Sequence, residues 1–210
     1  MRAARKRAFA HVEGNYATHV RASAGAATRA TEKTLDAFVE AFEELEKVCD
    51  LKREDGAHVS LSRTFACVRE DWARLFANLR AELRDMETFE VVFDAMRVFT
   101  NDDGSRAFVA AGFREGSTSA SKAALVRAIE RVDAAIVPLG FPKYYDDPDP
   151  HVSLLWVAGA SEERVEAMRR FAESTTVEWR FNVDRVVCDV SGQIPKTVWG
   201  RVPGLPAPDL

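Results

Sequence analysis

A four-residue segment, His-Val-Ser-Leu, occurs twice in this 210-residue chain, at 58–61 and again at 151–154. The chain has only four histidines, so half of them lie in the same local sequence. Side chains alternate between the two faces of a β-strand, so His58 and Ser60 share one face, and the valine and leucine share the other. Two such strands facing each other would place two imidazoles and two hydroxyls around one small cavity.

Apolar periodicity predicts helices and strands in mixed order around the two segments. Asp-Gly at 103–104 lies between two apolar runs, which is typical of an antiparallel hairpin. A helix, a short loop, a strand and a second helix recur around each segment, so we expect an α+β fold of two lobes related by a pseudo-two-fold. Helices are expected at 31–48, 70–84, 119–137 and 161–173, further strands at 14–21, 89–100 and 106–113, and an edge strand or hairpin at 177–190.

Length and composition predict a single domain, 1–210, built from two lobes. No apolar run approaches the roughly 20 residues needed to cross a bilayer, so no membrane partner is expected. Residues 1–10 carry a basic cluster, which fits a nuclear-import or phosphate-contacting arm or a frayed end. Residues 203–210 contain three prolines and are expected to be irregular.

Cysteine usage and ligand chemistry argue against a cofactor. Cys49, Cys67 and Cys188 are widely spaced and odd in number, which fits buried free thiols in a reducing compartment. Histidine with serine is a poor metal-ligand set, because zinc prefers cysteine, histidine and carboxylate. The sequence has neither a Gly-x-Ser-x-Gly elbow nor a glycine-rich phosphate loop. We therefore expect no metal and no other cofactor.

The paired segments suit transesterification of an RNA phosphodiester. The 2′-hydroxyl attacks the adjacent phosphate, so one imidazole must remove a proton and the other must protonate the departing 5′-oxygen. Ser60 and Ser153 can donate hydrogen bonds to the non-bridging phosphate oxygens. Tyr144 and Tyr145 precede His151 in a polar loop, where one of the two rings could stack on a base. The net charge of −4 implies local contact with a few nucleotides rather than a long duplex.

The remaining histidines are not expected to take part in the reaction. His19 lies in the first expected strand and is interpreted as a structural histidine that is hydrogen-bonded in the sheet. His11 is expected at the surface.

Paired His-x-[Ser/Thr] segments are typical of the 2H phosphoesterase superfamily, which this chain resembles. The similarity is greater to one branch, the phosphodiesterases that trim the 3′ end of spliceosomal U6 small nuclear RNA. Four segments carry it in order: GNYATHV at 14–20, HVSLSRT at 58–64, VFTNDDGSRAFVAAG at 98–112 and YDDPDPHVSLLW at 145–156. The second copy departs from the family pattern at Leu155, where a smaller residue is expected, so the packing behind that strand should differ.

The resemblance implies a groove between the lobes in which His58 and His151 are the catalytic pair. Ser60 and Ser153 would bind the phosphate, and Tyr145 would stack on the terminal base. It also implies metal-independent, 3′-to-5′ removal of terminal uridines or adenosines. The product is a 2′,3′-cyclic phosphate, which some members open further. The expected partner is the single-stranded 3′ end of U6 snRNA in the nucleus, with no DNA, and the protein is expected to be a monomer.

Two alternatives stay open. One is a general 2′,3′-cyclic phosphodiesterase of the same superfamily. The other is an RNA-end binding module without catalysis, against which the intact histidines and serines argue. Which histidine is the base is open too. If Tyr145 holds the leaving nucleoside beside His151, His151 is the acid and His58 the base.

Overall fold

The computed structural model describes residues 12–48, 56–101 and 103–201. Within these ranges the strands are β1 (Asn15–Ser23), β2 (Glu46–Lys47), β3 (His58–Ser60), β4 (Phe65–Val68), β5 (Phe89–Phe93), β6 (Ala95–Thr100), β7 (Arg106–Gly112), β8 (Val152–Ala158), β9 (Trp179–Val183), β10 (Arg185–Val190) and β11 (Lys196–Gly200). The helices are α1 (Arg29–Ala41), α2 (Trp72–Leu83), α3 (Ala120–Ile136) and α4 (Glu162–Glu173), with short 3-10 turns at Arg69–Asp71 and Val137–Leu139.

Two antiparallel sheets each contain one copy of the repeated segment. The first sheet has the order β11–β10–β1–β3, with β4 also paired to β1. The second has the order β2–β8–β7–β6, and β5 pairs with β9 in a separate ribbon. His58 begins β3 and His151 immediately precedes β8, and these two strands contact each other across the sheets. The predicted α+β class is confirmed, whereas the pseudo-two-fold remains a prediction.

Three helices begin at a hydroxyl side chain that caps the first turn. Thr28, Ser119 and Ser161 each accept a hydrogen bond from a backbone N–H three residues later. Such a cap satisfies one of the N–H groups that a helix leaves unpaired at its start. The predicted positions of α3 and α4 therefore agree with the structure to within about one residue.

The first helix is shorter than predicted. It ends at Ala41 instead of continuing to residue 48, and the chain then forms β2, which pairs with β8. Phe42 and Leu45 have helical spacing and are buried, but they lie beyond the helix. Phe42 packs against Phe171 of α4 with ring centroids 5.6 Å apart. Their apolar character therefore reflects burial against a neighbouring helix.

The strand predicted at 89–100 and the edge strand or hairpin predicted at 177–190 are each divided at an aspartate into two strands that do not pair with each other. The 89–100 run divides at Asp94 into β5 and β6, and the 177–190 run divides at Asp184 into β9 and β10. The two parts of each run pair with different strands. β4 and β11 were not predicted. β11 ends at Gly200, which has φ +82°, and a Cβ there would collide with the carbonyl oxygen of Asp184.

The described residues bear on several other predictions. Cys67 and Cys188 are buried free thiols, and burial raises the pKa of these thiols to about 11 and about 12. Cys49, His11 and the predicted arm and tail lie outside the described residues. In the described part of the chain, no helix is long and apolar enough to cross a membrane. Nor do three or more His, Cys, Asp or Glu side chains cluster there as a metal site would require.

Candidate active site

Both copies of the repeated segment divide their side chains between a buried and an accessible face. The histidine and serine of each copy are partly exposed, whereas the valine and leucine are completely buried. The predicted alternation is therefore observed. The accessible side chains are His58, Ser60, His151 and Ser153, and the buried ones are Val59, Leu61, Val152 and Leu154.

His58 and His151 lie close enough for the charge of His151 to act on His58. The pKa of His58 is lowered to about 4, first by burial, then by the positive charge of Arg21, and then by that of His151. The contact between β3 and β8 brings His58 and His151 near each other, although they belong to different sheets. The two predicted catalytic histidines are thus brought together.

The ring of His151 is held on two sides. Its Nδ1 lies 2.8 Å from the backbone oxygen of Asp149, and Phe99 stacks on it with centroids 4.0 Å apart. A carbonyl oxygen only accepts, so Nδ1 carries the hydrogen and Nε2 is the nitrogen left for chemistry. Arg97 pairs with the Asp149 carboxylate at 3.3 Å and donates to the backbone oxygen of Phe113 at 3.0 Å. The loop before β8 is therefore fixed to β6.

Protonation of His151 is subject to opposing influences. Burial, the largest, lowers its pKa. The Asp149 backbone hydrogen bond and carboxylate both act to raise the pKa, while the positive charge of Arg97 lowers it. Asp149 therefore favours a protonated ring at His151, an influence not found at His58.

Ser60 has a side-chain partner that the sequence analysis did not foresee. The Nε2 of His19 in β1 lies 3.1 Å from Ser60 Oγ, and the His19 ring meets that of His58 edge-on, with centroids 5.5 Å apart. His19 is a hydrogen-bonded histidine of the sheet, as interpreted, but its partner is a side chain of the site. Burial, with the positive charges of His58 and Arg21, lowers its pKa to about 3.

Arg21 is a further cation on this face that sequence reasoning missed. It is opposite Ser60 in the β1–β3 ladder, and its side chain is only 14% exposed. Its guanidinium pairs with Asp189 at 3.6 Å. The available signal was its spacing of two residues from His19, which places both on one strand face.

A β-bulge follows Ser153 in β8. Ser153 is opposite Ala110 of β7, but Leu155 is opposite Val109, so Leu154 is an extra residue in β8. Both Leu154 and Leu155 are completely buried, and Trp156 is partly exposed. The alternation of buried and accessible side chains is therefore shifted by one residue after Leu154.

The two tyrosines of the loop have different environments. Tyr144 is 7% exposed, its backbone N–H donates to Asp133 at 2.9 Å, and burial raises its pKa to about 12. Tyr145 is 46% exposed and meets Tyr144 edge-on at 5.1 Å. The guanidinium of Arg63 lies 4.7 Å from the centre of the Tyr145 ring. Tyr144 therefore anchors the loop, and Tyr145 presents a ring that a ligand can reach.

A sequence model of the HVSL family, described as an uncharacterised conserved protein, matches residues 1–196. The chain belongs to the HVSL family. This family is named with the letters of the repeated segment on which the site is built.

Curated relatives of the HVSL chain include proteins named U6 snRNA phosphodiesterase 1. The protein of that name from Dictyostelium discoideum is 32% identical over 154 residues, which are 71% of this chain and 53% of the relative. The Homo sapiens protein is 27% identical over 164 residues, covering 77% of this chain and 58% of the relative. The chain thus spans somewhat more than half the length of these relatives. The relationship predicted from the four segments is confirmed.

Solved structures share the fold. Usb1 of Kluyveromyces marxianus aligns with a TM-score of 0.60 at 17% identity, covering 87% of this chain and 97% of that one. The same protein with uridine monophosphate gives 0.57 at 16% identity, covering 88% and 97%. E. coli LigT complexed with 3′-AMP gives 0.52 at 15% identity, covering 87% and 90%. The 2H phosphoesterase fold expected from the sequence is confirmed.

Proposed function

We propose that this HVSL chain is a phosphodiesterase that removes nucleotides from the 3′ end of U6 snRNA by metal-independent transesterification. The observation that carries the proposal is that contacting strands of different sheets bring His58 and His151 together, near enough for the charge of His151 to act on His58. Relatives named U6 snRNA phosphodiesterase 1, and a fold neighbour solved with uridine monophosphate, support an RNA 3′ end as the substrate.

His58 is the general base in this proposal. Its lowered pKa keeps the imidazole neutral at pH 7, so a lone pair is available. It removes the proton from the 2′-hydroxyl of the penultimate nucleotide. The resulting oxygen attacks the neighbouring phosphorus, and a new bond forms between the 2′-oxygen and phosphorus.

His151 is the general acid. Asp149 favours the protonated ring, and a bound phosphodiester adds negative charge that favours it further. Its Nε2 gives a proton to the 5′-oxygen as the bond from phosphorus to that oxygen breaks. The products are a shortened RNA with a 2′,3′-cyclic phosphate and a nucleoside with a free 5′-hydroxyl.

Two neutral hydrogen-bond donors and one cation stabilise the negative charge on the phosphate. Ser60 and Ser153 lie on the accessible faces of their segments and donate to the non-bridging oxygens. Arg21, opposite Ser60, adds a fixed positive charge on the same face. This arrangement supplies local attraction in a protein whose net charge is −4.

Tyr145 is proposed to stack on the terminal base, since its ring is exposed and lies in the loop that leads to His151. Such a site accepts a single-stranded end rather than a duplex. We place the activity in the nucleus and assign it to a monomer, with neither DNA nor a membrane as partner.

The decisive experiment uses synthetic RNA with an oligouridine tail, incubated with and without EDTA, with product ends identified by mass spectrometry. We expect shortened RNA in both conditions, and none with His58→Ala or His151→Ala. Loss of activity in EDTA, or full activity in both variants, would contradict the proposal.

A second substrate distinguishes the alternatives. RNA ending in a 3′-hydroxyl should be trimmed by the exonuclease, whereas a general cyclic phosphodiesterase would act only on RNA that already ends in a cyclic phosphate. Binding of either RNA without any product would instead indicate an RNA-end binding module.

A further inference from the structure

His19 takes no part in the proton transfers proposed above, yet it contacts the first segment at both of its polar residues. Its Nε2 lies 3.1 Å from Ser60 Oγ, and its ring is edge-on to His58. It is partly buried in β1, an internal strand of the first sheet with neighbours on both sides. A polar ring in such a position requires a physical reason beyond packing.

A hydrogen bond between a hydroxyl and a neutral imidazole can run in either direction. If Ser60 donates to His19, the only hydrogen of its hydroxyl is used, and Ser60 cannot donate to a phosphate. If the Nε2–H of His19 donates instead, the Ser60 hydrogen remains available. Phosphate oxygens of a diester are acceptors, so only the second arrangement lets Ser60 bind one.

The backbone holds the His19 and Ser60 side chains in place. The oxygen of Val20, next to His19, accepts from the N–H groups of both Leu61 and Ser62, at 2.9 and 3.2 Å. The N–H of Val20 donates to the Ser62 hydroxyl at 2.9 Å. Three hydrogen bonds thus tie the end of β3 to β1 immediately beside the His19–Ser60 contact, so their separation is fixed before any ligand binds.

We infer that His19 is a positioning residue: a neutral imidazole carrying its hydrogen on Nε2, which donates to Ser60 and directs the Ser60 hydroxyl hydrogen toward the phosphate. The inference rests on the proposed function, because it takes a phosphodiester as the ligand of Ser60. The pKa of His19, lowered to about 3, agrees with a ring that stays neutral throughout the range in which the reaction is measured.

A double-mutant cycle tests the inference. His19→Ala, Ser60→Ala and the double variant are compared for kcat and KM on oligouridine-tailed RNA. We expect His19→Ala to lower kcat/KM about ten-fold, a part of what loss of one phosphate donor removes. No further loss is expected when Ser60 is already alanine. Losses that multiply in the double variant would overturn the inference, because they would mean that His19 acts without Ser60.

Two more variants separate a hydrogen bond from a general effect on the strand. His19→Gln can donate from a side-chain amide near the Nε2 position, so it should recover most of the activity lost in His19→Ala. Thr18→Val changes the adjacent residue on the opposite face, whose hydroxyl donates to the backbone of Tyr16 at 3.1 Å. It should leave kcat/KM unchanged. An equal loss in Thr18→Val would show that strand stability limits activity and would overturn the assignment.

A spectroscopic measurement needs no activity. In protein labelled with ¹⁵N-histidine, the His19 signals are assigned by their absence in His19→Gln. We expect the Nε2–H tautomer from pH 5 to 8, with a shift in Ser60→Ala. An Nδ1–H tautomer would overturn the inference even if the protein trims RNA. Conversely, an Nε2–H tautomer in a protein that cleaves no RNA would remove the proposed function alone.

Discussion

The two copies of His-Val-Ser-Leu have the same four residues in very different surroundings. Beside His58 lie the cation Arg21 and a second imidazole, His19, and none of the main influences on its pKa favours a proton. Beside His151 lie an aromatic ring and the backbone oxygen and carboxylate of Asp149, which favour one. The surroundings of each copy, rather than the segment itself, are therefore what would assign His58 as base and His151 as acid in the proposed reaction.

Removing either imidazole should have the largest effect on activity. We expect His58→Ala and His151→Ala each to lower kcat by about 10²–10⁴-fold, the usual contribution of one proton-transfer group. The pH profiles should separate them, because His58→Ala loses the acid limb and His151→Ala the basic limb. Loss of the same limb in both variants would show that the two copies are not divided as base and acid.

Arg21→Gln should have the next largest effect on activity. The variant removes a positive charge that lowers the pKa of His58, so this pKa should rise and the acid limb should move to higher pH. A fall in kcat/KM of about 10- to 100-fold is expected, because a charge near the phosphate is also lost. Arg170→Gln, which changes an exposed arginine of α4, serves as the control. An acid limb that stays in place would contradict the account of His58.

Asp149→Asn tests the surroundings of His151 and should shift the basic limb of the pH profile. The carboxylate raises the pKa of His151, so its removal should lower that pKa and move the basic limb to lower pH. We expect activity at pH 7.5 to fall about three- to ten-fold, which corresponds to at most about one pKa unit. The measurement is the kcat profile from pH 5 to 9. A shift of the basic limb upward would reverse the sign of the assigned interaction.

Substitutions in the tyrosine loop that leads to His151 should have a smaller effect on activity. Tyr145→Ala should raise KM for the RNA about ten-fold, since stacking on a base contributes about 1–3 kcal/mol, with the Tm nearly unchanged. Tyr144→Ala, which empties a buried position, should lower the Tm by several degrees. If Tyr145→Ala lowers the Tm as much as Tyr144→Ala does, Tyr145 is an anchor as well.

Lowered histidine pKa values should also make the stability of the folded protein depend on pH, without an effect on activity at pH 7. The pKa values of His58 and His19 are lowered in the folded protein to about 4 and about 3, so between those values and pH 6.5 the unfolded chain binds more protons. Stability should be fully present above pH 6.5 and fall as the pH drops toward 4. In His19→Gln/His58→Gln the Tm should fall less steeply over this range. An unchanged slope would assign the pH dependence to other groups.

The sequence carried the local features of this fold and missed those that depend on a distant partner. Alternation identified the accessible face of each segment, and apolar periodicity located α3 and α4 to within about one residue. The breaks at Asp94 and Asp184 could not be read locally, because each half of those runs pairs with a different strand. Helical spacing at Phe42 signalled burial against α4 rather than helix.

The site shows the same limit. His58, His151 and their serines were found from a repeat within the sequence itself, because strand alternation is a local rule. The partner of Ser60 is His19, 41 residues earlier, and only the pairing of β1 with β3 brings them together. The same pairing places Arg21 opposite Ser60. The residue types could be read from the sequence, but the order of the strands in the sheet could not.

The additional residue Leu154 in β8 shifts the alternation of buried and accessible side chains by one position. Before it, the odd-numbered Ser153 is on the more accessible face, and after it the even-numbered Trp156 is. Deleting Leu154 would restore regular alternation, and Ser153 and Trp156 would each keep their present face, because Leu154 and Leu155 are both buried. A one-residue deletion at the bulge should therefore be tolerated better than one in a regular part of β8, where it would exchange the two faces of the strand.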